Sequence, residues 1–327
     1  MKIVIVGSSN TDMIVKTARI PKPGETVIGG TFSMAAGGKG ANQAVAAARA
    51  GGKVTLVCRV GSDLFGAQAV KGFRADGINV SRIVRDKKAA SGVALIFVDA
   101  AGENSIAVAS GANAALSPSD VRMAKAAISS ADVLLMQLET PLETVQAAAD
   151  IAAKGNVPVI LNPAPAQPLP ESLLKKISIL TPNEHEAELL TGIPVQGEED
   201  AQAAAEALTA RGVGMTIITL GPKGAYVHSN SFKGMIPGFS VTAVDSTAAG
   251  DVFNGAFAVA FAEKRPLEEA VRFANAAAAL SVTKLGAQPS APMRRAIVKF
   301  SKTGGEKTEP SPTVRQPGGS DSSSGAG

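Results

Sequence analysis

Thr242-Ala243-Val244-Asp245-Ser246-Thr247-Ala248-Ala249-Gly250-Asp251-Val252-Phe253-Asn254-Gly255-Ala256-Phe257 is the stretch on which the reading of this chain turns. Asp245 closes a short Val-containing run, small residues lead to Gly250, and the chain is then apolar from Val252 to Ala262. That order is a strand or loop, a tight glycine turn, and a helix with Asp251 in its first turn. A helix start leaves backbone N–H groups without intrahelical acceptors. Those of Ala248, Ala249, Gly250 and Asp251 would cradle negative charge, with the helix dipole in support. Asp in a first turn is also an ordinary cap. Beside an anion cradle, however, a carboxylate has a use if it takes the proton of a hydroxyl whose oxygen attacks a phosphoryl group. The expectation is small-molecule phosphoryl transfer with Asp251 as base.

Other segments point the same way. Ile3–Val6 reads as a buried strand, and Gly7-Ser8-Ser9-Asn10-Thr11-Asp12 as a polar loop leaving it. Ligands of a parallel sheet gather beyond the carboxyl ends of its strands, which places Asn10 and Asp12 like site residues. Ala35-Ala36-Gly37-Gly38-Lys39-Gly40-Ala41-Asn42-Gln43-Ala44 opens an Ala-rich helix ending near Gly51-Gly52. Gly37 and Gly38 have no Cβ to hold a ligand away, Asn42 lies one turn into the helix, and Lys39 offers a cation for an anion. The GxxxxGK[ST] spacing of a phosphate-binding P-loop is missing.

The remainder alternates. Strands are expected at 54–60, 133–138 (with Glu139 at its end), 157–161, 177–180 and 215–220. Helices are expected at 118–129, 141–154, 186–191, 199–211, 266–280 and 292–300. This βα order predicts an α/β, three-layer, Rossmann-like fold with a mostly parallel central sheet. Residues 13–34, with β-like pieces at 25–29 and 31–34, and the hairpin at 92–110 read as insertions that join in a small β-sheet. Such a sheet must cover something or pair with another subunit. Asn275, in an Ala-rich helix, needs partners, either protein backbone or a nucleotide. In residues 301–327, 18 of 27 positions are Gly, Ser, Thr or Pro, so this segment reads as a disordered tail behind a domain of residues 1–300.

Composition narrows the function classes. The chain has 327 residues, 45% of them hydrophobic, enough for a substantial core. Its net charge of +4 comes without a basic run, and it has no Trp and one Tyr, so nucleic-acid binding has no support. The single cysteine, Cys58, sits in an apolar strand and excludes an intramolecular disulfide; a reducing compartment, the cytoplasm, is expected. No secretory signal or membrane-spanning segment is read. The first strand is not followed by GxGxxG, which argues against a dinucleotide-dependent oxidoreductase.

Five segments together resemble the PfkB family of carbohydrate kinases, and within it the ribokinases. They are Gly-Ser-Ser-Asn-Thr-Asp at 7–12, Pro-Gly-Glu-Thr at 23–26, Gly-Gly-Lys-Gly-Ala-Asn-Gln-Ala at 37–44, Asn-Pro-Ala-Pro-Ala at 162–166 and Asp-Ser-Thr-Ala-Ala-Gly-Asp-Val-Phe-Asn-Gly-Ala at 245–256. The resemblance covers residues 1–300 and implies ATP-dependent phosphorylation of D-ribose at O5. It implies that Asn10, Asp12, Gly38, Asn42 and Glu139 hold the sugar, with Lys39 beside them, and that Asp251 is the base. Ala248, Ala249 and Gly250 would form the anion hole. Asn183, Thr219, Gly221, Gly224 and Asn275 would face ATP. Glu186 would meet Mg²⁺ through water. Asp245, Thr247, Ser281, Lys284, Gly286 and Ser290 would surround K⁺, several through backbone oxygens. The small sheet is expected to be a lid and to pair two subunits as a homodimer. Val252 and Ser246 stand where the family often has Thr. A kinase for 2-deoxyribose, for another small sugar or for a nucleoside stays open, as does a sugar or nucleotide sensor without catalysis.

Overall fold

The structure, a computed structural model, describes residues 1–303. In chain order the elements are β1 (Lys2–Val6), β2 (Asn10–Lys16), β3 (Thr31–Gly37), α1 (Lys39–Arg49), β4 (Lys53–Gly61), α2 (Leu64–Ala75), β5 (Asn79–Asp86), β6 (Gly92–Val98) and β7 (Asn104–Ala109). Next come α3 (Pro118–Met123), α4 (Lys125–Ser129), β8 (Val133–Met136), α5 (Leu142–Lys154), β9 (Val159–Leu161), α6 (Glu171–Leu174), β10 (Ile179–Leu180), α7 (Glu184–Thr191) and α8 (Glu198–Ala210). The chain continues through β11 (Thr216–Thr219), β12 (Gly224–His228), β13 (Lys233–Pro237), α9 (Ala249–Ala262), α10 (Leu267–Ser281), α11 (Ala287–Ser290) and α12 (Arg294–Thr303).

A nine-stranded sheet in the order β13-β12-β11-β10-β9-β8-β1-β4-β5 carries the body. It is parallel except at β12 and β13, which add antiparallel. Side chains alternate along each strand, and here both faces are covered. Ile3 and Ile5 pack with Leu56, Cys58 and the α1, α9 and α10 side chains on one face. Val4 and Val6 pack with Val57, Leu134, Met136 and the α5 side chains on the other. Both faces being buried explains why these strands read as continuous apolar runs. Cys58 lies in the first of these clusters, and burial pushes its thiol up to about 12, so it stays an inert thiol.

A second, four-stranded sheet, β3-β2-β6-β7, stands at the carboxyl end of β1. The segments expected as insertions do join in one sheet, but its inner strand begins earlier than expected. Asn10 and Asp12 belong to β2, because Asn10 pairs with Gly37 on one side and Gly92 on the other. The polar loop after β1 is therefore only Gly7–Ser9. Residues 25–29 are not a strand: Gly24, Gly29 and Gly30 all take positive φ and turn the chain. The helix expected over 118–129 is broken at Ala124, and β5, α6, α11 and β13 were not expected. α12 extends to Thr303, so the first residues assigned to the tail are helical; residues 304–327 lie outside the described residues.

Candidate active site

The parallel strands end on a common edge. Gly7–Ser9 follow β1, Gln137–Glu139 follow β8, Asn162 follows β9, Thr181 follows β10, and Thr219 ends β11. The start of α9 faces this edge. Together with β2, β6 and β7 of the small sheet it encloses a cleft of about 350 Å³, lined among others by Asn10, Asp12, Gly38, Lys39, Asn42, Glu139, Asn183, Glu186, Thr219, Ala248, Ala249, Gly250 and Asp251.

Asp251 is 5% exposed, in the first turn of α9. Its two oxygens accept from Asn42 Nδ2 at 2.9 Å and Gln43 Nε2 at 3.0 Å. Gln43 Nε2 also donates to Asn162 Oδ1 at 3.2 Å, while Gln137 Nε2 donates to Gln43 Oε1. The base is therefore fixed by a chain of buried amides. Close helix packing delivers it: a Cβ at Gly255, one turn on, would lie 2.6 Å from Gln43 O, so α9 and α1 meet at van der Waals distance there. Burial raises the Asp251 pKa, against the opposing effect of Lys39 and the two amides.

Asp12, on β2, is pushed up to about 6 by burial and then by the charges of Glu139 and Asp251. Glu139 accepts from Ser8 Oγ and from the Lys39 amide at 2.9 Å. Lys39 is partly buried; burial works against its ammonium, but Asp251, Glu139 and Glu186 outweigh that and hold it charged. Asn10 Oδ1 accepts from Asn113 Nδ2 at 2.7 Å, and Asn113 also bonds both backbone groups of Ser9. The Asn42 Oδ1 acceptor is buried without a partner among the described residues. The glycines here serve the protein's own chain. The Asp12 carboxylate fills the place of a Gly37 Cβ, at 2.3 Å. Gly38 has φ +88°, and a Cβ on it would lie 2.6 Å from Asn10 N.

At the other end, Ala248 caps α9 at φ 60° in the left-handed region. The Ala249 amide donates to Ser246 O at 3.2 Å. The amides of Ala248, Gly250 and Asp251 have no acceptor among the described residues. Asn183 and Glu186 form a capping box for α7: Glu186 Oε2 accepts from Asn183 N at 2.9 Å and Asn183 Oδ1 from Glu186 N at 2.8 Å. Burial raises the Glu186 pKa.

Three expected nucleotide residues lie outside the cleft lining. Asn275 bridges backbone, donating to Ile236 O at 3.2 Å and Pro237 O at 3.1 Å, which is the first of the two roles open to it from sequence. A Cβ at Gly224 would lie 2.2 Å from Ile236 O, so the approach of β13 explains that glycine, while Gly221 faces open space. Asp245 joins two loops by accepting from Thr247 N at 2.9 Å and Gly286 N at 2.8 Å. Burial raises its pKa, but those hydrogen bonds win and hold it below the usual carboxylate value. Ser281 and Ser290 are buried, each hydroxyl donating to a carbonyl three residues back. The Lys284 amide donates to Ser281 O.

The sequence reading gave no role to Gln43, Asn113, Gln137, Asn162 or Asn254. Asn254 donates to Gly250 O at 2.8 Å and accepts from Thr181 Oγ1 at 2.6 Å, which ties the α9 start to β10. For Gln43 and Asn254 the available signal was a carboxamide in an Ala- or Phe-rich helix, the argument already applied to Asn275.

The pfkB family carbohydrate kinase pattern matches residues 1–294. The chain belongs to the pfkB family of carbohydrate kinases. It is 48% identical over 298 residues to a ribokinase of Haemophilus influenzae, covering 91% of this chain and 97% of that one. It is 40% identical over 293 residues to a deoxyribokinase of Salmonella typhi, covering 89% and 96%. A solved ribokinase of Arabidopsis thaliana, complexed with ribose and ATP, matches with a TM-score of 0.84 at 36% identity, covering 92% of this chain and 98% of that one. As a member of this family the protein is an ATP-dependent sugar kinase, and the fold is the ribokinase fold. Among the described residues no helix is long and apolar enough to cross a membrane.

Proposed function

We propose that the protein transfers the γ-phosphoryl group of ATP to O5 of D-ribose, giving D-ribose 5-phosphate and ADP. The observation that carries this is Asp251, buried at the start of α9 with both oxygens held by Asn42 and Gln43, next to unpaired amides. Asn10, Asp12, Asn42 and Glu139 offer hydroxyl partners at one end of the cleft. The unpartnered Asn42 Oδ1 is an acceptor ready for a sugar hydroxyl. Asp251 takes the O5 proton as the oxygen attacks phosphorus, and the amides at Ala248 and Gly250 stabilise charge on the transferring group. Lys39, held charged, adds to that stabilisation. With base and cradle in the same first turn of α9, the work is positioning and electrostatics.

Asn183 and Thr219 line the donor end, and we assign them to ATP together with Gly221, Gly224 and Asn275, the last two through the placement of β13. Mg²⁺ with the nucleotide supplies charge neutralisation at the phosphates. Glu186 fits that ion through water, because its carboxylate oxygens already accept from Asn183. The oxygen-only set around Asp245, Thr247, Ser281, Gly286 and Ser290 fits a hard monovalent cation such as K⁺, with Lys284 contributing backbone. The four-stranded sheet acts as a lid: its Asp12 face closes the cleft. Its other face carries the exposed Phe32, Met34 and Leu95, and we assign that face to a homodimer contact. The buried lone thiol fits a reducing compartment, and we place the protein in the cytoplasm.

The test is ADP release with ATP, Mg²⁺ and K⁺, comparing D-ribose, 2-deoxyribose, fructose and adenosine. Preference for D-ribose that weakens without K⁺ supports the assignment. Turnover only with 2-deoxyribose, the acceptor suggested by the deoxyribokinase relative, moves the substrate. ATP binding without turnover on any acceptor favours a sensor.

A further inference from the structure

Asn113 is not part of the cleft lining, yet it acts on the cleft through another side chain. It is buried in the single 3-10 turn Gly111–Ala115 that follows β7. That turn is held on both sides of it: Asn113 N donates to Ser110 O at 3.0 Å, and Leu116 N donates to Asn113 O at 3.2 Å. Its Oδ1 accepts from Ser9 N at 2.9 Å, and its Nδ2 donates to Ser9 O at 3.2 Å. A backbone N–H only donates and a backbone C=O only accepts, so the Asn113 amide has one orientation. The same Nδ2 donates to Asn10 at 2.7 Å, and the Asn10 atom that meets a donor is Oδ1. Asn10 Nδ2 is then the free end, without an acceptor among the described residues and not sealed from solvent. Gly92, the first residue of β6, leaves room for the pair: a Cβ there would lie 2.2 Å from Asn10 Oδ1 and 2.3 Å from Asn113 Nδ2.

The direction of the main chain at Ser9 thus sets the polarity of a side chain in the cleft. Asn10 and Asp12 stand two residues apart on β2 and share one face of it. The groups around them are acceptors: the carboxylates of Asp12, Glu139 and Asp251, and Asn42 Oδ1. A sugar hydroxyl has one proton to give and two lone pairs to fill. Acceptors alone take the proton and leave the lone pairs unmet, and Lys39 is already assigned to the phosphoryl group. We propose that Asn113 is a positioning residue that makes Asn10 a hydrogen-bond donor to the sugar, and that Asn10 with Asp12 thereby selects a ring hydroxyl over hydrogen. This rests on the pentose kinase reading above.

The test is calorimetry with D-ribose, 2-deoxy-D-ribose and 3-deoxy-D-ribose, with ADP release alongside. Asn10→Asp keeps an acceptor for Asn113 Nδ2 but puts a second acceptor where the free donor was. D-ribose affinity should fall about 10–100-fold, with kcat at saturating sugar changed much less. The deoxy sugar that lacks the selected hydroxyl should lose far less affinity, so the preference for D-ribose over it collapses. Asn113→Asp cannot donate to Asn10, which then turns its amide and shows Oδ1; the same collapse is expected. In an Asn10→Ala background, Asn113→Asp should cost no further D-ribose affinity, because the two act as a unit. Asn10→Asp leaves both Asn113–Ser9 bonds in place, so it carries the test even if Asn113→Asp fails to fold. Unchanged or tighter D-ribose binding by Asn10→Asp would overturn the proposal. So would losses in equal proportion for all three sugars, or a full additional loss from Asn113→Asp in the Asn10→Ala background, either of which would make Asn113 a support of the loop only. An unmodified protein that binds none of the three pentoses would instead count against the kinase reading.

Discussion

The two ends of the cleft are built by opposite means. At the acceptor end, side chains are locked to one another before any ligand arrives: Asp251 by Asn42 and Gln43, Glu139 by Ser8 and the Lys39 amide, Asn10 by Asn113. At the start of α9, the groups without acceptors are main-chain amides, on a segment where Ser246, Thr247 and Gly250 are exposed. The difference teaches where precision is required. A base must meet one hydroxyl proton in one direction, so its orientation is fixed by buried partners. A cradle for spread phosphoryl charge needs donors rather than a single direction, and a helix start supplies them without side chains.

That contrast can be broken from either end. The largest effect expected is for Asp251→Asn: kcat falls about 10²–10⁴-fold, while D-ribose affinity by calorimetry changes little. Loss of binding to the same extent would make Asp251 a sugar anchor instead of a base. At the donor end, Gly250→Pro deletes one N–H within the first helical turn, where proline is tolerated. It should cost about 10²–10³-fold in kcat. Gly250→Ala is the control, since a Cβ there meets nothing within 4 Å, and it should keep near-normal turnover. Equal losses in both variants would locate the defect in backbone shape.

Gln43→Leu sharpens the acceptor side. It removes one of the two donors to Asp251 and strands Gln137 Nε2, so kcat should fall roughly tenfold with KM little changed, while urea unfolding shows a loss of about 1–3 kcal/mol. An opposite effect on stability is expected at Asp12. Its carboxyl titrates at about 6 in the folded chain against an ordinary 3.8, so folding is penalised as pH rises through that window and the penalty is complete above it. Asp12→Asn should therefore stabilise the ligand-free protein at pH 7 by at most about 3 kcal/mol, at roughly 1.4 kcal/mol per pH unit, with no gain near pH 4, while sugar affinity drops. Equal urea midpoints at both pH values would show that Asp12 carries no such strain.

The same division decides what was legible in the sequence. The helix start at 248–251 and its acid could be read because small residues, glycine and Asp stand together in the chain. The layer order could be read because strands buried on both faces leave apolar runs, as in Ile3–Val6. Asn10 and Asp12 looked like loop residues, since their strand partners, Gly37 and Gly92 for Asn10 and Ala35 and Ala94 for Asp12, are far along the sequence. β5 and β13 are mixed polar edge strands, so no apolar run announced them. The anchors Asn113 and Gln137 could not be found locally: their partners are 103 and 94 residues away. The β13 contacts of Gly224 and Asn275 were not legible, because close approach to a ligand and close approach of a strand make the same demand on a glycine or a buried amide.

The central claim is that Asp251 works as a base with a raised pKa, opposed in that rise by Lys39. Its most direct test is the pH dependence of kcat/KM for D-ribose in the unmodified protein and in Lys39→Met, with the ionisation of ATP common to both. The account predicts an acid limb above the ordinary carboxylate range, because activity is lost as Asp251 gains a proton, and a further move of that limb to higher pH once the Lys39 charge is gone. A limb at the ordinary carboxylate value, or one that Lys39→Met leaves in place or moves to lower pH, would contradict it.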